Sequence, residues 1–283
     1  MKKDLSIIIA HYKPKNFDNI NPLIKTLNII NSQTEGYDIE VIIADDGSDY
    51  SKQIINNHSS LKVINEDKRN FYIWDTDKLK SWVKKLGISS SLISKWVYIP
   101  KNIPPAMSKS RIVNFSTTFS LSNNLLFLDD DNYFTSNNSI KSLMVFFNSY
   151  NLIIGQVQDN NGRIRSYESN RVQGTTIAMT KDIFIDIQGF GEWTENFSCG
   201  VDSDLWIKLY NYFKINKSLK ACYTDSISTY DSQSKRWKKY TKIFKEWNLR
   251  KEFNKIHNCK NYKSASSNLS RQKKLWIDNL IEK

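Results

Sequence analysis

The apolar residues of the first 130 positions fall into short, mainly apolar runs, separated by segments in which they recur with helical spacing. Each run has the length of a strand, and the runs stand at residues 5–10, 39–44, 61–64 and 125–128. One helix face is indicated after the first run, by Ile20, Leu23, Ile24, Leu27 and Ile30. A further helix is predicted over residues 107–121. Mainly apolar strands that alternate with helices predict an α/β fold with a parallel sheet.

After residue 150 the pattern changes to shorter strands joined by turns. Two strands are predicted about an Asn-Asn-Gly turn in residues 151–169, with later strands at 175–180 and 221–230 and helices at 181–188 and 201–213. A Gly-rich loop at 189–200 leads into the last of these helices. Residues 71–105 interrupt the earlier alternation, and we interpret them as an insertion with a helical piece of its own.

The composition suits one large domain, or one domain with an appendage. Hydrophobic residues make up 40% of the 283 residues, which is enough for a substantial core and excludes a wholly disordered chain. The first apolar run, Leu5–Ala10, is too short for a signal peptide or a membrane span. The three cysteines form no CxxC pair, so we expect neither a disulfide framework nor a zinc site, and a cytoplasmic location.

Most of the positive charge belongs to the end of the chain. From Asp231 to Lys283 there are 15 Lys or Arg and 5 Asp or Glu, so this segment carries +10 of the net charge of +12. We therefore predict a body at 1–230 and a basic, aromatic-rich helical extension at 231–283. Its aromatic residues fall on one helical stripe, formed by Trp237, Tyr240, Phe244 and Trp247.

Three interpretations of the extension stay open. Packing of the stripe on the body, or on a second copy in a homodimer, is the one we favour. The stripe could instead lie on a membrane with its lysines on anionic lipid, which would place the protein at the inner face of the cell membrane. Nucleic acid is a third anionic partner, but no base-reading module is visible, so we expect none.

Two acidic clusters follow directly after predicted strands. Asp45 and Asp46 precede a Gly, which is typical of a turn, although carboxylates at a sheet edge also accept hydrogen bonds from a base or ribose. Asp129, Asp130 and Asp131 end the strand at 125–128. Alternation along an extended chain sends the first and third of these to one side and the second to the other. Two carboxylates with pyrophosphate oxygens suit Mg²⁺ or Mn²⁺, although a solvated strand end would look the same.

The remaining candidates lie on or beside the predicted helices. Asp202 and Asp204 open the helix at 201–213, where both could be caps or one could accept a proton from a hydroxyl nucleophile. The preceding loop carries Trp193 and Phe197, which resemble a substrate wall. Its two acids, Glu192 and Glu195, are either solvated or in contact with an acceptor. Lys109 and Arg111 could lie over a pyrophosphate or be surface cations.

Four segments, in this order, resemble the family 2 glycosyltransferases of the GT-A fold. They read LSIIIAHYKPK, EVIIADDGS, SKSRIVNF…NNLLFLDDDNYF and GFGEWTENFSCGVDSDLWIKL, and they cover roughly residues 4–215 apart from the insertion. The resemblance implies a Rossmann-like nucleotide-binding half at about 1–131, with a mostly parallel central sheet, and an acceptor half at about 132–230. It also implies a bacterial enzyme of polysaccharide biosynthesis. Such an enzyme transfers a sugar, with inversion, from a nucleotide diphosphate donor, usually a UDP-sugar, to a glycan or lipid-linked hydroxyl.

The resemblance also implies roles for individual residues. On the donor side it assigns Ala10 and Tyr12 to the nucleoside pocket, Asp46 to the base with Asp45 in support, and Arg111, with Lys109 nearby, to the diphosphate. Asp129, Asp130 and Asp131 match the metal-binding Asp-x-Asp, with Asp131 as the foremost ligand of Mn²⁺ or Mg²⁺. Asp202 would be the general base, and Trp193, Glu192 and Asp204 would lie on the acceptor side.

Three departures from the family pattern bear on these roles. Val201 stands where the family has a Glu that binds the acceptor, and one Gly precedes Phe190 where two are common. Some members place a metal-binding His after the last strand, where this chain has Asp231. Whether Asp231 or a His completes a metal site is left open, and His257, far into the extension, is not assigned.

Two other classes of protein remain as alternatives. Val201 favours a nucleotide-sugar binding protein without catalysis. An aspartyl-nucleophile phosphotransferase would use Asp129 as nucleophile and Asp131 as acid. Such enzymes usually have Thr or Val where this chain has Tyr133, and they leave Asp45 and Asp46 without a role.

Overall fold

The computed structural model of the protein describes residues 2–14, 21–55, 61–74, 83–84, 92–101, 107–165, 172–232, 242–258 and 281–282. The strands are β1 Leu5–His11, β2 Ile39–Asp45, β3 Lys62–Glu66, β4 Arg69–Trp74, β5 Ile93–Tyr98, β6 Asn124–Asp129, β7 Asn132–Phe134, β8 Leu152–Asp159, β9 Ile164–Arg165, β10 Ile177–Thr180, β11 Ala221–Asp231 and β12 Ile281–Glu282. The helices are α1 Pro22–Asn31, α2 Asp49–Ile55, α3 Lys109–Thr117, α4 Ser139–Phe146, α5 Lys181–Asp186, α6 Val201–Ile215 and α7 Lys242–Ile256, with a 3₁₀ helix at Glu192–Phe197.

The described strands form one sheet in the order β12-β11-β8-β10-β6-β1-β2-β5-β4-β3, with β7 on β11 and β9 on β8. Its centre is parallel, because β1 pairs in parallel with β2 and β6, and β2 does so with β5. Antiparallel β10 joins this centre to β8, which is parallel to β11. The predicted α/β fold with a mostly parallel central sheet is thus confirmed.

The apolar runs are buried because helices cover both faces of the sheet. In β1, Ile7 and Ile9 pack in one cluster with Leu23 of α1, whereas Ile8 packs in another with Ile112 of α3. Alternate residues of a strand point to opposite faces, so a strand covered on both sides is apolar at most positions. The exceptions in β1 and β2, Ser6 and Glu40, are buried and hydrogen-bonded to each other. The mainly apolar runs in the sequence therefore reflect the two-sided burial.

The range interpreted as an insertion, residues 71–105, contributes strands to the sheet itself. β4 occupies its first residues and pairs with β3 as a hairpin, and β5 pairs in parallel with β2. β5 was hidden in the sequence because Ser94 and Lys95 interrupt its apolar residues. Among the described residues of this range, only 83–84 are helical, and the limits of the insertion stay a prediction.

The second half of the chain follows its predicted elements closely. The Asn-Asn-Gly turn joins β8 to β9, and Gly162 has a φ of +80°, a conformation that favours a residue without a β-carbon. β10, α5, α6 and β11 all form where the pattern predicts them.

The basic extension contains α7, which packs on the body through Leu249 and Phe253, both buried. From the predicted aromatic stripe, Trp247 does not make this contact, since it is 60% exposed and lies under Nζ of Lys251. Trp237 and Tyr240 lie outside the described residues. Every helix in the described part of the chain is too short or too polar to cross a membrane.

Candidate active site

The carboxyl ends of three neighbouring strands meet at one edge of the sheet. In the sheet register, Ala10 of β1 lies opposite both Ala44 of β2 and Asp129 of β6, so the segments after these strands come together. They border a cleft of about 630 Å³, including its opening to solvent. The lining combines the predicted residues Ala10, Tyr12, Asp46, Lys109, Asp129, Asp130 and Asp131 with His11, Ala44, Met107 and Ile112.

Asp45 holds the turn after β2 in place. Its buried carboxylate accepts hydrogen bonds from the N–H of Ser48 at 2.8 Å, the hydroxyl of Ser51 at 2.5 Å and Nε1 of Trp96 at 3.0 Å. With three donors around it, Asp45 supports the site from behind and leaves its neighbour Asp46 to border the cleft.

Asp46 forms an ion pair in the cleft wall with Lys101. Nζ of Lys101 lies 2.5 Å from Oδ2 of Asp46 and 4.1 Å from the ring centroid of Tyr12. The N–H of Ser108 donates to both carboxylate oxygens at 3.1 Å. Burial raises the pKa of Asp46 to about 6, against the opposing charge of Lys101. The pair offers a hydrogen-bond acceptor and a donor side by side.

Asp130 faces away from its two neighbours and holds the end of β1. Its Oδ2 accepts from Nδ1 of His11 at 2.5 Å and from the N–H of Tyr12 at 3.2 Å. Nε2 of His11 in turn contacts the hydroxyl of Tyr50. Asp130 borders the cleft, and its carboxylate belongs to this supporting network; from the sequence it could contact the donor sugar or support the loop.

Lys109 is the positive centre of the cleft. Its Nζ lies 2.5 Å from Oδ1 of Asp129. Burial alone would lower the pKa of Lys109, but the charges of Asp129, Asp202 and Asp131 raise it. Burial raises the pKa of Asp129 to about 6, with Lys109 opposing the shift and Asp131 adding to it. Three carboxylates from two halves of the chain therefore converge on one ammonium group.

The Asp129–Asp131 pair fits a divalent cation that a bound ligand helps to hold. Both residues border the same cleft and carry carboxylate oxygens, which Mg²⁺ and Mn²⁺ prefer. Within the ranges that the structure describes, no group of three or more His, Cys, Asp or Glu is arranged to hold a metal ion. A cation at this pair would therefore take its other ligands from phosphate oxygens and water.

Asp202 reaches this cluster from the first turn of α6. Its Oδ1 lies against Gly174, where an added β-carbon would overlap it, and Nζ of Lys109 is 3.4 Å from the Gly174 carbonyl oxygen. Asp202 thus lies beside Lys109 and its carboxylate partners, and its own carboxylate packs against the backbone of Gly174. A carboxylate in this place can accept a proton from a hydroxyl group.

Asp204, expected on the acceptor side, is fully buried and cannot touch an acceptor. Its Oδ1 accepts from Nε1 of Trp193 and Nε2 of His257, each at 2.9 Å, and Nζ of Lys208 lies 2.9 Å from Oδ2. Burial alone would raise the pKa of Asp204, but the bond from His257 and the charge of Lys208 lower it. This carboxylate is the centre of an internal network.

Arg111 and the acids of the Gly-rich loop form a second network beside the cleft. Nε of Arg111 lies 3.1 Å from Oε2 of Glu195, and its Nη1 lies 3.0 Å from Oε2 of Glu192. Glu195 is buried and also pairs with Nη1 of Arg69 at 2.7 Å. Arg111 is thus held by carboxylates outside the cleft lining, and Lys109 is the cation that the structure places among the Asp-x-Asp residues.

Asp231, weighed as a metal ligand, has a guanidinium as its partner. Arg165 of β9 is 5% exposed; its Nη2 bonds Oδ2 of Asp231 and lies 2.6 Å from Oδ1 of Asp159. Asp159 is also buried. This arrangement is a buried ion pair between strands, which does not favour Asp231 as a metal ligand.

Three residues of these networks were not predicted from the sequence, namely His11, Lys101 and Arg165. His11 could have been predicted, because it lies between Ala10 and Tyr12, which the resemblance assigns to the nucleoside pocket. Lys101 and Arg165 carry no local signal. Their partners, Asp46 and Asp231, are 55 and 66 residues away in the chain.

Comparisons with known proteins bear on this geometry. Residues 6–83 match the family model described as Glycosyl transferase family 2. The chain resembles the mannosyltransferase PcManGT from Pyrobaculum calidifontis, solved in complex with GDP-Man and Mn²⁺, with a TM-score of 0.55 and 13% identity over 99% of this chain and 71% of that one. It also resembles S. aureus TarS 1–349 in complex with UDP-GlcNAc, with a TM-score of 0.50 and 16% identity over 85% of this chain and 60% of that one.

No curated protein compared with the chain matches it significantly. At identities of 13% and 16%, the likeness to the two solved structures shows the fold alone. The family model adds the sequence match over β1, β2 and their surroundings. The resemblance of this chain to the family 2 glycosyltransferases of the GT-A fold is therefore confirmed.

Proposed function

We propose that the protein transfers a sugar from a nucleotide diphosphate donor, in the first place a UDP-sugar, to a hydroxyl of a glycan or lipid-linked acceptor, with inversion. The observation that carries the proposal is one cleft edge that combines the Asp46–Lys101 pair with three carboxylates around Lys109. The match to the family model and the fold support a glycosyl transfer function.

The donor would lie along the carboxyl edge of the sheet. Its base would form hydrogen bonds with Asp46 and Lys101 beside Tyr12, and its diphosphate would contact the ammonium group of Lys109. Asp129 and Asp131 would hold Mn²⁺ or Mg²⁺, which, when bound, neutralises charge that develops on the leaving diphosphate. Mn²⁺ in the complex of the similar mannosyltransferase supports this choice of ion.

Asp202 would act as the general base. It takes the proton of the acceptor hydroxyl while that oxygen forms its bond to the anomeric carbon. The bond from this carbon to the phosphate oxygen breaks in the same step, and the diphosphate leaves with the electron pair beside the ammonium of Lys109. A single displacement inverts the anomeric centre.

A nucleotide-sugar binding protein without turnover is the second candidate, because Val201 replaces the Glu of the family pair. Incubation with UDP-sugars and GDP-sugars in the presence of Mn²⁺, followed by measurement of released nucleoside diphosphate, separates the two. Release, to water or to an added glycan, supports the transferase. Binding without release supports the binding protein, and absence of binding rejects both.

We expect Mn²⁺ to add to the thermal stability only when a nucleoside diphosphate is also bound, because the protein supplies two carboxylates and the ligand must supply the rest. Asp131→Asn should remove the Mn²⁺-dependent part of the shift in Tm with UDP and keep the part due to UDP alone. Asp225→Asn, an exposed acid of β11, is the control and should behave as the wild type. A full Mn²⁺ effect in Asp131→Asn would contradict the assignment.

The affinity for UDP should fall as the pH drops through about 6, the pKa of Asp46. The ionised carboxylate accepts the base N–H, so this contribution is complete above the pKa and declines by up to about tenfold per pH unit below it. Calorimetric titrations between pH 5 and about 8 measure it. UDP itself also changes protonation over this range. The variant Asp46→Asn, which keeps one acceptor oxygen, therefore measures the part of the pH dependence that is due to the ligand. Equal pH profiles in both proteins would exclude Asp46 as the group that responds.

A further inference from the structure

The tail helix α7 is seated on the two elements that bear the acceptor-side residues. Leu249 packs on Gly200, which caps α6; an added β-carbon there would stand 2.9 Å from Cδ1 of Leu249. Phe253 is fully buried, and its ring centroid lies 6.2 Å from that of Trp193 in the 3₁₀ helix. α7 therefore contacts both the start of α6 and the loop wall.

One buried carboxylate ties these three elements together. Asp204 of α6 accepts hydrogen bonds from Trp193 of the 3₁₀ helix and from His257, which follows α7. Lys208 adds a positive charge from the next turn of α6. A buried carboxylate is costly when it loses a donor, so the three partners hold each other in one arrangement.

His257 is the partner that the tail contributes. Its Nε2 donates to the same oxygen of Asp204 as the Trp193 indole does. Its ring centroid lies 4.5 Å from that of Phe253 and 6.4 Å from that of Trp193. The imidazole thus both donates a hydrogen bond and fills space beside the indole.

We propose that His257 is a positioning residue, which through Asp204 fixes the indole of Trp193 and so makes the C-terminal helix part of the acceptor-side wall. The proposal rests on the proposed function for the nature of that wall. The position of the indole, however, is measurable without turnover. The tail is then a structural part of the site, whatever else its basic surface binds.

Fluorine NMR of protein labelled with 5-fluorotryptophan tests the coupling. The chain has 8 Trp, and Trp193→Phe identifies the signal of Trp193. His257→Ala should shift and broaden this signal. In His257→Gln the Trp193 signal should stay close to its wild-type position and width, because the amide N–H of Gln can still donate to Asp204. The affinity for UDP should stay within about twofold in both variants, since His257 is not among the cleft-lining residues.

Lys251→Ala is the matched control on the same helix. Nζ of Lys251 lies 3.8 Å from the ring centroid of Trp247, so this variant should move the Trp247 signal and leave that of Trp193. His257→Asn, whose shorter side chain does not reach Asp204, replaces His257→Ala if the latter loses helix content. A Trp193 signal at its wild-type position in His257→Ala, or in His257→Asn where that variant is used, would overturn the proposal. Failure of the wild type to bind either UDP or GDP would instead reject the proposed function.

Discussion

Asp202→Asn should reduce sugar transfer by at least about a hundredfold while the protein still binds its nucleotide. Asn has the shape of Asp but cannot take a proton from an acceptor hydroxyl. The residues proposed for the nucleotide pocket are different ones, Asp46, Lys101 and Tyr12. The affinity for UDP should therefore be unchanged, or somewhat higher because Lys109 loses one competing carboxylate. Released nucleoside diphosphate measures the first effect and calorimetry the second.

The control must separate a catalytic carboxylate from a helix cap. Asp182→Asn removes an exposed acid from the first turn of α5, where only the interaction with the helix dipole is lost. It should cost stability of about 0.3–1 kcal/mol and no activity. If Asp202→Asn behaves in the same way, Asp202 is a capping residue and the base lies elsewhere.

Gly174→Ala tests the assignment of Asp202 as the general base in a protein that keeps the Asp202 carboxylate. The new β-carbon overlaps the carboxylate of Asp202, so either that side chain or the backbone near residue 174 must move. A base displaced by about 1 Å loses much of its efficiency, and we expect a loss of transfer of about a hundredfold. Retained UDP binding would show that the donor pocket is intact.

Arg165→Met should lower the free energy of unfolding by about 3–5 kcal/mol, because it leaves two carboxylates in the interior without their cation. Arg165 is 5% exposed, Asp159 is 1% exposed and Asp231 is 8% exposed. The guanidinium connects β9 with the ends of β8 and β11, which pair with each other in the sheet. Urea denaturation measures the change, with the slope checked for two-state behaviour.

Arg163→Met is the matched control, since Arg163 precedes β9 and is exposed. It should change the free energy of unfolding by less than about 0.5 kcal/mol. Adding Asp159→Asn and Asp231→Asn to Arg165→Met should recover part of the stability, because the buried charges are then gone. A loss below about 1 kcal/mol in Arg165→Met alone would mean that water reaches these carboxylates and that the pair contributes little.

The pattern of apolar residues predicted the sheet edge at which the site forms. Residues 10, 45 and 129 each end or follow a mainly apolar run, and the carboxyl ends of parallel strands share an edge. The same pattern concealed β5, because polar residues in an edge-proximal strand break the run by which a buried strand is found. Periodicity is a local property, and it identifies an element only where burial is uniform along that element.

The division of roles within each acidic cluster was decided by residues far away in the chain. Asp130 turns to His11, 119 residues before it, and Asp204 turns to His257, 53 residues after it. Asp129 and Asp202 remain beside Lys109 because no such partner takes their carboxylates away from the cluster in the described structure. Strand alternation predicted that Asp130 points away from Asp129 and Asp131, but spacing did not distinguish the roles of Asp202 and Asp204.

The sequence by itself determined the fold class, the edge at which carboxylates gather and the set of residues able to do chemistry there, because strand alternation and residue type are local. Only the tertiary structure decided which carboxylates hold the neighbouring turns and strand ends in place and which face the cleft. It also decided that Lys109 lies among them and that the tail helix packs on the start of α6 and on the 3₁₀ helix. Those outcomes depend on charge pairs and packing between distant segments, whose partners become neighbours only when the sheet and helices assemble.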